Sequence, residues 1–149
     1  MQLINLNLLL KNFMIVVLSF FLPIHGVILA VGLSIIADTI MGMLKACKIK
    51  EPITSRKLSV VVSKMILYQS ALILFFIIEK YILTDFVGLF TSLEFIVTKL
   101  VAITLISIEV KSIDENFKAI KGYSLWDKFK FMLLRAKEIK SDLEEVKKD

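Results

Sequence analysis

Apolar residues fill this chain in long runs, and the charged residues gather between and after them. The first run extends from Leu3 past Pro23 to Leu44, the second from Leu58 to Ile78, and the third lies within Phe86 to Ile108. A helix needs about 20 residues, at 1.5 Å each, to cross a hydrocarbon core ~30 Å thick. Counting back from Lys45 by that length reaches Pro23 to Gly26, so one span is predicted from about Ile24 to Leu44. Residues 2–22 then form a separate apolar helix, set off by a proline and a glycine that favour a turn. Asn5, Asn7, Lys11 and Asn12 make this helix costly to immerse, so it either crosses as a fourth span or stays at the interface. It resembles a signal peptide only in part. The apolar run continues beyond any cleavage point near Ala30-Val31-Gly32, and the segment is expected to be retained.

The polar segments orient these spans. Lys45, Lys48, Lys50, Arg56 and Lys57 stand against the single Glu51 in the 45–57 loop, which the positive-inside rule places in the cytoplasm. Lys64 is near enough to this end of the second span to snorkel to the headgroups. Glu79, Lys80 and Asp85 mark the opposite turn, and the third span returns the chain to a charged C-terminal segment. The expected architecture is an all-α integral membrane protein. It has an N-terminal apolar helix (1–23), three membrane helices (24–110) and a cytoplasmic tail (111–149) that carries an amphipathic helix.

Composition agrees with this pattern. Of the 149 residues, 57% are hydrophobic, more than one small core can bury. The formal charge of +5 comes from clustered lysines and arginines. Cys47 and His25 are the only cysteine and histidine, which leaves no ligand set for a metal and no internal disulfide. His25, beside Pro23 and Gly26, reads as a turn or interface residue. Phosphate-loop, metalloprotease and nucleophile-elbow motifs are missing, and no enzyme activity or cofactor is expected.

Four features carry mechanism. Gly26, Ala30, Ser34, Asp38, Gly42 and Ala46 recur at every fourth position of the first predicted span, a spacing of small residues that lets helix backbones approach closely in lipid. A fourfold step drifts about 40° per repeat, so the stripe winds around the helix and can serve the protein's own helices, other copies, or both. Asp38 within it needs a partner, Lys45 or Lys64. Glu94 and Lys99 are the further charges expected within the third span, five residues apart and so on different faces. In the tail, Ser124 and Asp127 have capping-box spacing. Leu125, Phe129, Met132, Ala136, Ile139, Leu143 and Val146 then follow the steps of a coiled-coil seam. A parallel pair would oppose Arg135 to Lys140, so a clean dimer is not favoured. Trp126, Phe129 and Phe131 interleave with Lys128, Lys130 and Arg135, a mixture suited to the anionic lipids of an inner leaflet. Glu138, Asp142, Glu144 and Glu145 offset that basicity and argue against nucleic acid as a partner.

The segment DTIMGMLKA from Asp38 to Ala46, the loop residues Ser55-Arg56-Lys57, and SIDENFKAIKG from Ser112 to Gly122 resemble the toxin-secretion and phage-lysis holin family. Asp38, Gly42, Ala46, Ser55, Glu115, Asn116 and Gly122 fall on its pattern. The resemblance covers about Ile24 to Gly122, with one residue more than usual between Asn116 and Gly122 and without the family's following proline-containing stretch. It implies a homo-oligomer that forms lesions in the bacterial cytoplasmic membrane and releases or activates an endolysin during host lysis. Two other functions fit the residues alone: a membrane anchor or scaffold recruiting a partner through its tail, and a small channel subunit lined by Asp38, Glu94 and Lys99.

Overall fold

The computed structural model describes residues 2–146, and the side chains of residues 6–140. Its elements are all helical: α1 (Gln2–Phe21), a 3-10 turn (Leu22–Ile24), α2 (His25–Ile49), α3 (Ser55–Ile78), a π turn (Glu79–Leu83), α4 (Thr84–Gly88), α5 (Ile96–Lys121) and α6 (Leu125–Val146). The predicted helical class is what the chain adopts. The turn expected near Pro23 is the 3-10 segment, where the proline's missing N–H falls at a position that needs no donor. Gly26 lies inside α2 rather than in that turn. The exposed His25 ring bonds back through Nδ1 to the Leu22 carbonyl.

Two helical stretches, Leu6–Ile49 and Ser55–Gly88, are long and apolar enough to cross a membrane. The third apolar run is not one helix. It is divided at residues 89–95 between α4 and α5, and α5 carries Lys99, Glu109 and Lys111 in its apolar part. From Ile96 to Val110, where its large exposed apolar side chains end, α5 rises only about 22 Å, less than a ~30 Å core. The helix continues unbroken past residues 110–111 to Lys121, where Gly122 at φ +85° ends it.

The core is too small for a water-soluble protein. Among the described residues the buried apolar side chains are Ile24, Val31, Ile35, Ala46, Leu72, Phe76 and Ala102, while large apolar side chains remain exposed on every long helix. Apolar surface on that scale needs a solvent other than water.

The chain divides into two compact units. The first comprises Met1–Leu33 and Ser63–Ile106. In it α1 is exposed from Leu6 to Ser19, and only Phe20 and Phe21 are partly covered. Phe20 meets Phe76 edge-on at 5.4 Å, Phe95 meets Phe76 at 5.1 Å, and the Lys80 ammonium sits 4.3 Å above the Phe20 ring. Gln69 of α3 donates to the Ile28 carbonyl of α2 at 3.1 Å, opposite Gly32, where a Cβ would lie 3.5 Å from the same amide nitrogen.

Within this unit Glu79 is the organising side chain. It is 2% exposed, and its carboxylate accepts from Val97 N (2.9 Å), Thr98 N (2.8 Å) and Thr98 Oγ1 (2.7 Å). The first turn of α5 has N–H groups without helical acceptors, and a carboxylate there also meets the positive end of the helix dipole. Phe95 just before this turn has φ +55°, a left-handed conformation costing about 1–2 kcal/mol for an L-residue. Its ring contact with Phe76 and the Glu79 bonds hold it there.

The second unit comprises Ser34–Val62 and Ser107–Asp149. In it α2 ends with Lys50 at φ +57° and Glu51 N bonded to the Ala46 carbonyl at 2.9 Å, a Schellman closure followed by Pro52. Lys57 bonds Glu51 at 2.8 Å across the loop. That ammonium, aided by Lys45, holds the Glu51 carboxyl below its ordinary value against a small desolvation effect. The attraction holds while the Glu51 carboxylate is ionised and is lost as pH falls through its lowered value. At the other end Ser124 and Asp127 form the expected capping box: Asp127 N donates to Ser124 Oγ at 3.0 Å, and Ser124 N donates to the Asp127 carboxylate at 3.4 Å. Asp114 of α5 accepts from Leu125 N at 2.6 Å.

Replacing Glu79 by Ala leaves the Val97 and Thr98 donors without an acceptor. The expected cost is about 2–4 kcal/mol in detergent-micelle unfolding, with α5 fraying first in amide exchange. Glu79→Gln, which keeps an acceptor but not the charge, should recover part of that loss.

A candidate interhelical site

The second unit brings together residues that the sequence placed far apart. Asp38, Gly42 and Lys45 lie on one face of α2 because steps of four and three superimpose on a helix. Facing them is Asn116 of α5. Its Nδ2 donates to Asp38 Oδ1 at 3.2 Å, and its Oδ1 accepts from Lys45 Nζ at 3.3 Å. The amide orientation follows from charge: reversed, it would turn N–H groups to an ammonium and a carbonyl to a carboxylate. Asn116 thus couples an acid and a base on α2 through one neutral group. One turn along α5, the Ile120 carbonyl accepts from Lys48 Nζ.

Gly42 makes this approach feasible. A Cβ built there lies 3.8 Å from Asn116 Nδ2, ordinary contact for a methyl but no room for a larger side chain. Ala46, the next small residue on this face, is buried at 3% exposure. The Asp38, Gly42 and Ala46 part of the small-residue stripe therefore packs inside the protein's own fold. Ser34 is half-buried, while Gly26 and Ala30 are exposed. The stripe is not one packing face, and the 40° drift per fourfold step is the physical reason.

The other sequence candidates are dispersed. Ser55 is the exposed first residue of α3, Glu115 is exposed beside Asn116, and Gly122 supplies the left-handed stop after α5. Glu94 and Lys99 are both exposed. The deeply buried acids are instead Glu79 and Glu109, the latter at 0% exposure. From the sequence Glu79 is read only as marking a turn, and Glu109 is not singled out; an acid inside an apolar run was the available signal for Glu109, whereas the capping role of Glu79 joins segments too far apart to read. The tail seam is uncovered at Leu125, Phe129, Met132, Ala136 and Ile139. The side chains of Leu143 and Val146 lie outside the described residues.

The site is a polar clamp in a molecule whose surface is largely apolar. It offers an acid, an amide and an amine already engaged with one another, which suits fixing two helices rather than transforming a substrate. These features define a small helical membrane protein. The chain belongs to the bacteriophage holin family, whose profile matches residues 15–137, including the last third of α1 and most of α6. That match is wider at both ends than the Ile24–Gly122 resemblance. The family is not one of enzymes. No curated protein and no solved structure matches the chain significantly.

Asn116→Leu should uncouple Asp38 from Lys45 and cost about 1–3 kcal/mol of stability. Gly42→Ala should stay within about 1 kcal/mol of the parent, and Gly42→Leu should match or exceed the Asn116 loss, all measured by unfolding in micelles.

Proposed function

We propose that the protein oligomerises in the bacterial cytoplasmic membrane and opens lesions through which an endolysin is released or activated during host lysis. In this reading α2, α3 and α5 cross the bilayer, and the basic 45–57 loop and the C-terminal tail face the cytoplasm. The helix α1 either crosses or lies at the interface. The observation that carries the proposal is the apolar surface left uncovered on α1 and at Gly26 and Ala30, within a chain of the holin family. Small exposed residues on a lipid-facing helix allow close approach of a second backbone.

Expression in a bacterium with and without a cytoplasmic endolysin tests this, following culture density and release of a large cytoplasmic reporter. Abrupt lysis that requires endolysin is expected. Growth without release, despite confirmed membrane insertion, would sink the lytic reading, and selective ion conductance alone would point to a channel.

The oligomer surface is tested at Gly26 rather than Gly42, because no atom lies within 4 Å of a Cβ added at Gly26 and the protein's own packing is left intact. Gly26→Leu is expected to keep full helicity, lower cross-linked oligomers and delay lysis. Unchanged oligomers and timing would remove this stretch from the interface.

A further inference from the structure

The uncovered face of α6 has a charge arrangement of its own. At about 100° per residue, Leu125, Trp126, Phe129, Met132, Ala136 and Ile139 fall within an arc about 140° wide. All six are exposed, from Leu125 at 40% to Met132 at 61% among the larger ones. The arc is apolar from Leu125 to Ile139 and takes its first charge at Lys140. Lys128 and Arg135 border it on one side, Lys130 and Lys137 on the other. Asp127 and Glu138 project opposite its centre; Phe131 and Leu134 fall outside it. Cations at both margins with acids farthest away is the distribution of a helix lying in a headgroup layer, with stems in the apolar zone and ammonium groups on phosphates. A second copy fits it less well, since a parallel pair brings Arg135 against Lys140.

The start of α6 is also held at a suitable depth. The exposed apolar surface of α5 ends at Val110, before Lys111. Asp114 is about 6 Å further along the helix, inside the ~5–7 Å that headgroups add to each side of the hydrocarbon. Because Asp114 accepts from Leu125 N at 2.6 Å, and the Phe117 and Tyr123 rings meet at 5.8 Å, the chain turns back after Gly122 and α6 begins beside Asp114 rather than beyond the end of α5.

We propose that α6 is an interfacial helix that lies on an anionic lipid surface, its Leu125–Ile139 face in the headgroup zone and its marginal lysines and arginine on lipid phosphates. This rests on α5 entering the bilayer, as proposed above. A tail so placed keeps the start of α6 and the Asn116 clamp close to the membrane boundary.

Trp126 is the only tryptophan, so the full chain reports on itself. It is reconstituted in vesicles of phosphatidylcholine alone or mixed with phosphatidylglycerol, with bromine atoms high on the acyl chains as quencher. Quenching and a blue-shifted emission are expected, at least about twofold stronger with phosphatidylglycerol. The triple substitution Lys128→Glu, Lys130→Glu and Arg135→Glu should abolish that difference with helicity unchanged. So should raising salt to about 1 M, where screening acts within ~3 Å. Equal quenching in both lipids, or emission typical of water in both, overturns the proposal. A blue shift that follows protein density rather than lipid charge also overturns it, in favour of a second copy. Trp126→Phe with Leu100→Trp reads α5 separately. Quenching there without quenching at Trp126 sinks the α6 proposal alone, and quenching at neither sinks the membrane path of α5 as well.

Discussion

Helices that keep most of their apolar surface exposed cannot be held to one another by burying it, because lipid solvates that surface as well as a neighbouring helix would. What fixes the elements of this protein is a small set of polar bonds made where backbone or side-chain groups would otherwise lack partners. Glu79 closes the first turn of α5, Gln69 reaches the Ile28 carbonyl, Asn116 links Asp38 to Lys45, and Asp114 with Ser124 starts α6. For those within the apolar layer, leaving such groups unpaired costs more than the net worth of each bond in water. A few well-placed bonds therefore do the organising that a large core does elsewhere.

The same economy explains the distribution of small residues. Where α2 meets Asn116, Gly42 and Ala46 let the polar clamp close, and bulk there would act first on the fold of the single chain. Gly26 and Ala30 are exposed, and a Cβ added at Gly26 would meet none of the chain's own packing. One sequence period thus turns from a covered face to an exposed one, through the slow rotation of a fourfold step around a 3.6-residue helix. Under the proposed function this separation has a use: the single chain would be internally braced before it meets other copies. The proposed lesion would then be assembled from prebuilt units, with the clamp kept out of the contact between them.

The helical class, the break at Pro23, the capping box at Ser124 and the membrane character were legible in the sequence, because each depends on local periodicity, on one residue's backbone chemistry or on composition. The resemblance carried by Asp38, Gly42, Ala46 and Asn116 was legible as well, since order and spacing survive without coordinates. Tertiary structure alone decided that Asn116 stands between Asp38 and Lys45, that Glu79 caps a helix beginning 17 residues later at Ile96, and that the small-residue stripe runs from exposed at Gly26 and Ala30 to buried at Ala46. It also split the third apolar run at residues 89–95, where Thr91, Ser92 and Glu94 read as lying inside one span. Hydropathy and period describe one helix at a time. The pairing of a carboxylate with another helix's free N–H groups, or of an amide with an acid and a base, depends on distances between segments that no local pattern encodes.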